Sequence, residues 1–269
     1  MRIRIVDAFT DRPFSGNPAG VLLLDSFPDD AWLRAVASEV NLSETAFAHP
    51  LPAGGDADWA LRWFTPTTEV DMCGHATLAT AHVLHTTGAA TGPVRFATRS
   101  GVLGAVTEPD GGITMDFPTS SLTPVPVPDG LAQALGAEVL AVHDTAAHVG
   151  DLVVELRDEA TVRGLAPDHA ALKAHSSRGV IATAPAADPD GGYDFVSRGF
   201  FPSVGIAEDP VTGSAHTALA PYWSARLGRD ELTGFQGGAR TGLVRTRLRG
   251  DRTLLTGHAV TVIEGELRA

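Results

Sequence analysis

Glu44, His75 and Asp209 are the side chains of this chain best suited to moving a proton, and they lie around a glycine-led segment that occurs twice. Phe64-Thr65-Pro66 followed by Cys73-Gly74-His75-Ala76-Thr77-Leu78-Ala79 returns as Phe200-Phe201-Pro202 followed by Thr212-Gly213-Ser214-Ala215-His216-Thr217-Ala218-Leu219-Ala220. Later flanks recur too, as Arg99-Ser100-Gly101-Val102-Leu103 and Arg240-Thr241-Gly242-Leu243-Val244. A fixed offset over several elements marks a duplication. Gly74 and Gly213 each stand just before an expected helix, where the first N–H groups lack intrahelical acceptors and the helix dipole is positive. Each is an anion cradle, and if the two halves face each other both would converge on a small carboxylic acid.

The copies differ where chemistry would sit. Cys73 has Thr212 as its counterpart, His75 has Ser214, and Glu44 in Ser43-Glu44-Thr45 falls opposite Ser177-Arg178-Gly179. With Cys73 the single cysteine, a two-thiol racemase is ruled out, as are an internal disulfide and a multi-thiolate metal site. One carboxylate base is left, Glu44, accompanied by the His75 imidazole and the Glu208-Asp209 pair of the other half. In a closed apolar cleft such a carboxylate is pushed towards neutrality, so it can take a proton from carbon and return it elsewhere. In isolation Glu44 would read as a solvated loop carboxylate; its place beside the duplicated motif points to a base. Asp209 also reads as a helix-start residue stabilised by the dipole, which is compatible with a role in the site. Cys73 reads as a buried, inert thiol.

Several elements must position these groups. Residues 2 to 9 read as a strand, a turn-rich stretch from Asp11 to Gly20 follows, and Val21 to Leu24 is a buried strand. Asp29 can cap a helix reaching Val40, with Trp32, Val36 and Val40 on one face. Thr45 to Ala48, and Trp59, Leu61 and Trp63, read as further strands. His75 to Thr87 reads as a helix buried on most sides with Gly88 as its stop, and Ser214 to Leu227 as its copy, bent or divided by Pro221. One apolar helix per half suits a barrel of strands around a central helix. The stretch Pro118 to Pro128, with four prolines, reads as the crossing between halves.

The 269 residues are 43% hydrophobic and 19% charged, a globular composition without an apolar run long enough for a membrane span. With 20 Lys and Arg against 32 Asp and Glu, the net charge of −12 repels phosphate backbones and anionic lipid, so neither nucleic acid nor membrane is expected as a partner. The N-terminus enters a strand at once, without a signal series, and a cytoplasmic location is expected. The histidines, His143 and His148 among them, show no metal-ligand spacing and read as structural. The glycine-rich segments lack phosphate-loop and dinucleotide fingerprints. No cofactor and no metal are expected.

Gly16-Asn17-Pro18-Ala19-Gly20, Asn41-Leu42-Ser43-Glu44-Thr45, Glu69-Val70-Asp71-Met72-Cys73-Gly74-His75-Ala76-Thr77 and Glu208-Asp209-Pro210-Val211-Thr212-Gly213-Ser214 resemble the signature segments of the PhzF family of phenazine-biosynthesis isomerases, in order and across both halves. The resemblance implies an α+β fold of two pseudo-symmetric domains of diaminopimelate epimerase type, each a mixed-strand barrel around a central helix. The domains would span 1–120 and 125–269, with the last strands free to pack back onto the first domain. It implies a homodimer working without metal or cofactor. It further implies that Glu44 shuttles a proton between two substrate carbons. His75 and Asp209 would polarise the substrate's amino and carbonyl or enol groups, and Gly74, Gly213 and Ser214 would bind its carboxylate. In phenazine producers the substrate of such an enzyme is trans-2,3-dihydro-3-hydroxyanthranilate. Two other functions stay open at this point: a racemase or epimerase of an amino acid derivative, with Asp209 as the second base, and a non-catalytic metabolite-binding homologue.

Overall fold

The computed structural model describes residues 1–145 and 149–268, and His148, read above as structural, lies outside them. The fold is α+β and divides into two units, Met1–Asp116 with Thr256–Ala269, and Phe117–Leu255. The segment after Leu255 thus counts with the first unit.

The first unit contains β1 (Arg2–Ala8), β2 (Asn17–Leu23), α1 (Asp30–Val40), β3 (Glu44–Pro50), β4 (Trp59–Phe64), β5 (Glu69–Val70), α2 (Gly74–Thr86), β6 (Val94–Thr98) and β7 (Gly101–Thr107), with β8 (Ile113–Pro118) leading out of it. The second contains β9 (Thr123–Val125), α3 (Leu131–Leu135), β10 (Ala141–Asp144), β11 (Asp151–Glu155), α4 (Glu159–Arg163), α5 (His169–Leu172), β12 (Gly179–Pro185), β13 (Phe195–Phe201), β14 (Ile206–Asp209), α6 (Gly213–Leu227), β15 (Glu231–Gly237) and β16 (Thr241–Arg249). The chain leaves it through β17 (Arg252–Gly257) and ends with β18 (Ala259–Glu266).

Strand pairing repeats the duplication. In the first unit β1 pairs antiparallel with β2, β2 parallel with β3, β3 antiparallel with β4, and β4 parallel with β6. In the second, β10, β11, β12, β13 and β15 pair in the same directions in the same order. Each unit completes its set with a strand from the far end of a half. β18 pairs with β1 along its whole length, and β9 pairs with β10. The proline-rich crossing therefore holds a short paired strand, Thr123–Val125, inside the irregular chain.

Side-chain parity explains the layering, because successive residues of a strand point to opposite faces. In the second unit Val153, Ile181 and Phe195 turn to α6, where Ala215, Ala218, Leu219 and Trp223 meet them. Leu152, Val154, Val180, Ala182 and Val196 turn the other way, onto Leu131 and Leu135 of α3, Val162 of α4 and Leu172 of α5. With both faces covered, β11 to β13 are buried along almost their whole length. In the first unit Leu22, Phe47 and Phe64 cover α1 through Leu33 and Val36. The opposite face meets α2, which packs against β1, β2, β3, β7 and β18.

The small residues of α2 allow that close enclosure, and its buried hydroxyls are satisfied within the helix: Thr77 donates to the Cys73 carbonyl at 2.6 Å and Thr80 to that of Ala76 at 2.7 Å. α6 runs unbroken from Gly213 to Leu227 through Pro221. The turn it would otherwise lose is held from outside, since the Thr217 carbonyl, four residues before the proline, accepts from the Ser120 N–H at 3.2 Å.

Candidate active site

In the first unit Glu44 opens β3, and its parity with Ala46 turns it to the α2 side of the sheet. His75 occupies the second position of α2. The Glu44 Oε2 lies 3.3 Å from His75 Nε2, with both side chains largely withdrawn from solvent, at 12% and 5% exposure. Ser43 Oγ lies 3.5 Å from the same nitrogen, and Cys73 Sγ 3.5 Å from Nδ1. One imidazole thus sits between a carboxylate and a thiol, each within or near hydrogen-bonding reach. Donor atoms of Glu44, Cys73 and His75 all fall within 4.8 Å of one another, a carboxylate, thiolate and imidazole set that could hold a divalent transition metal.

In the second unit Asp209 ends β14, and its Oδ2 accepts from the Thr212 hydroxyl at 2.6 Å. The fully buried Gln236 of β15 fixes this turn, accepting from Thr212 N–H at 2.9 Å and donating to the Asp209 carbonyl at 3.1 Å and to Thr212 Oγ1 at 3.0 Å. Gly213 and Ser214 begin α6 just beyond. The Ser214 Oγ accepts from Arg178 Nη2 at 2.8 Å, while Arg178 Nη1 donates to Asp151 Oδ2 and the guanidinium carbon lies 4.9 Å from the centre of the Phe201 ring. Burial pushes the Asp151 carboxyl up to about 7 against the pull of Arg178. Two residues after Ser214, burial drives His216 down to about 4, so its imidazole is neutral, with Nδ1 2.9 Å from the Thr212 carbonyl oxygen.

Helix starts differ across the chain in an informative way. Asp29, Asp158 and Asp168 cap α1, α4 and α5 with their own carboxylates. Cys73 and Thr212, at the N-cap positions of α2 and α6, form no side-chain cap bond, so at these two starts no N-cap side chain competes for the first-turn N–H groups.

Each unit therefore gathers its own part of the residues expected from sequence: Glu44, His75 and Gly74 in the first, Asp209, Gly213 and Ser214 in the second. Trp63, Phe201 and Tyr222 are core side chains, at 1 to 2% exposure. The sequence reading left four contributors without a role: Ser43, Asp151, Arg178 and Gln236. Ser43 and Arg178 carry a signal in the sequence, as members of the aligned segments Ser43-Glu44-Thr45 and Ser177-Arg178-Gly179; Asp151 and Gln236 carry none.

Register makes the duplication exact enough to compare side chains. Glu44 pairs with Ala19 across β2 and β3, and Gly179 pairs with Asp151 across β11 and β12. The register corrects the sequence alignment by one residue: Gly179, and not Arg178, is the counterpart of Glu44, with Arg178 that of Ser43, Asp151 of Ala19 and Ser214 of His75. A Cβ on Gly179 would meet Phe201 Cδ1 at 2.1 Å and the Phe200 carbonyl oxygen at 2.9 Å. The second unit has no room for a base at the position where the first carries one.

Residues 6–265 match the model of the phenazine biosynthesis-like protein family PhzC-PhzF. The chain is 51% identical over 266 residues to a Pseudomonas aeruginosa protein named an uncharacterized isomerase, covering 97% of this chain and 96% of that protein. The crystal structure of a PhzF family phenazine biosynthesis protein from Enterococcus faecalis superposes with a TM-score of 0.91 at 38% identity, covering 100% of this chain and 99% of the other. A hydroxyproline epimerase from Agrobacterium vitis shares the fold alone, with a TM-score of 0.61 at 14% identity over 98% of this chain and 91% of that one.

Proposed function

The chain belongs to the phenazine biosynthesis-like PhzC-PhzF family of isomerases, and from that premise we propose that it shifts a proton and a double bond within a small carboxylic acid, without a cofactor. The proposed substrate is trans-2,3-dihydro-3-hydroxyanthranilate or a related biosynthetic intermediate. Glu44 is the acid/base. Its carboxylate takes a proton from an allylic carbon, the released electron pair forms a new double bond, and the resulting carboxylic acid returns the proton to the far carbon of the same system. His75, 3.3 Å from that carboxylate, and Asp209 polarise the substrate's polar groups. Gly74, Gly213 and Ser214 bind its carboxylate through the uncapped helix starts.

The observation that carries this reading is the asymmetry of the duplication: a carboxylate at the start of β3, and at the same register of β12 a glycine whose Cβ would strike Phe201. A racemase working on opposite faces needs two bases, whereas a proton shift along one face needs one. We further propose a cytoplasmic homodimer, which sedimentation would register as a particle of twice the chain mass.

The deciding experiment is proton NMR of trans-2,3-dihydro-3-hydroxyanthranilate in D2O with the wild type and with Glu44→Gln. The wild type is expected to consume it with deuterium appearing at ring carbon, and the variant to lose about 10²–10⁴-fold in rate. Deuterium exchange retained in an otherwise inactive Glu44→Gln would instead favour an epimerase with Asp209 as second base. A compound left unchanged by wild type would rule out this substrate.

A further inference from the structure

At the two positions equivalent to Ser43 and His75, the second unit holds Arg178 and Ser214, and these too are in contact, at 2.8 Å. We propose that Arg178, clamped by Asp151, is a specificity-determining residue that restricts the Ser214 end of α6 to substrates bearing a carboxylate. The inference rests on the reading of Gly213 and Ser214 as carboxylate-binding groups.

A guanidinium has only donors, so in its bond with Ser214 the serine oxygen must accept. That leaves the Ser214 hydroxyl proton to be donated, and among the described residues none takes it. Arg178 thereby turns an ambivalent hydroxyl into an obligatory donor, available to an acceptor on a ligand. The side chain of Arg178 keeps about a third of its surface, at 32% exposure.

Stability does not account for this arrangement. A cation beside the N-terminal turn of a helix opposes the helix dipole, and an anion seated there would reverse the sign of that interaction. The clamp is also costly. Asp151 is fully buried and its Oδ1 has no hydrogen-bond partner among the described residues, whereas the equivalent position in the first unit is Ala19, equally buried and free of any such cost. The scaffold accepts alanine at that point. The buried carboxylate holds the guanidinium in one direction, so that the Ser214 oxygen stays its acceptor and the hydroxyl proton stays available to a ligand carboxylate, which accepts better than an amide or an alcohol.

The test is calorimetric titration of the full chain with anthranilate and with the uncharged anthranilamide, comparing wild type, Arg178→Gln, Arg178→Lys and Ser214→Ala. Wild type should bind the acid at least tenfold more tightly than the amide. Arg178→Gln should bring that ratio close to one, Arg178→Lys should restore part of it, and combining Arg178→Gln with Ser214→Ala should lower it no further. A wild-type ratio in folded Arg178→Gln overturns the proposal, as does a wild type that shows no preference for the acid or does not bind it. If Arg178→Gln fails to fold, an unchanged ratio in both Arg178→Lys and Ser214→Ala overturns it equally. Deuterium exchange by wild type and Glu44→Gln, run on the same preparations, separates failure of the isomerase reading from failure of this one.

Discussion

His216 shows how a residue beside a site can set the pH range of the whole fold. It is fully buried and neutral, held near 4 by burial against 6.5 for an exposed imidazole, so the unfolded chain binds its proton first as the pH falls. The contribution to stability is complete above pH 6.5 and is lost between 6.5 and about 4, amounting at most to about 3 kcal/mol. Urea unfolding at pH 7.5 and 4.5 should show that loss in wild type and a smaller one in His216→Gln. Gly179 sets a constraint of another kind. Gly179→Ala drives a methyl into Phe201 and the Phe200 carbonyl, and a thermal melt should register a loss of about 1–3 kcal/mol.

At the scale of elements, α6 departs from what its own composition leads one to expect. Proline in a helix interior costs about 3 kcal/mol through the lost bond and the clash with the preceding turn. Here the orphaned Thr217 carbonyl is taken by the Ser120 N–H, and the Ser120 and Thr217 hydroxyls lie 2.7 Å apart. The crossing segment and the proline are therefore complementary parts of one arrangement. Pro221→Ala should stabilise the protein by well under that 3 kcal/mol, and Ser120→Ala should cost about 1 kcal/mol. Both values are accessible from denaturant midpoints at constant slope.

Across the whole molecule the first unit is closed by a strand that arrives late. β1 pairs with β18 from Arg2↔Glu266 to Ala8↔Ala259, so the first strand of the protein waits for the last. A chain ending at Gly257 would leave one side of β1 without a partner, an open edge that invites association with other chains. Such a truncation is expected to lose cooperative unfolding and to aggregate in spite of the net charge of −12. A truncated chain that melts as sharply as the full one would contradict this account of the fold. No helix among the described residues is long and apolar enough to cross a membrane.

The duplication, the two buried helices with their glycine starts, and the pairing of Glu44 and His75 as chemically different from their counterparts were all legible in the residues, because type and short spacing carry them. Strand register was not. That Ser43 and Glu44 reach His75, that Arg178 spans from Asp151 to a serine 36 positions away, and that Ser120 rescues a carbonyl 97 positions on depend on which distant backbones align. The local pattern of apolar and polar residues specifies which face a side chain takes and leaves open which partner it meets there; only the packed sheet and the helices against it decide that.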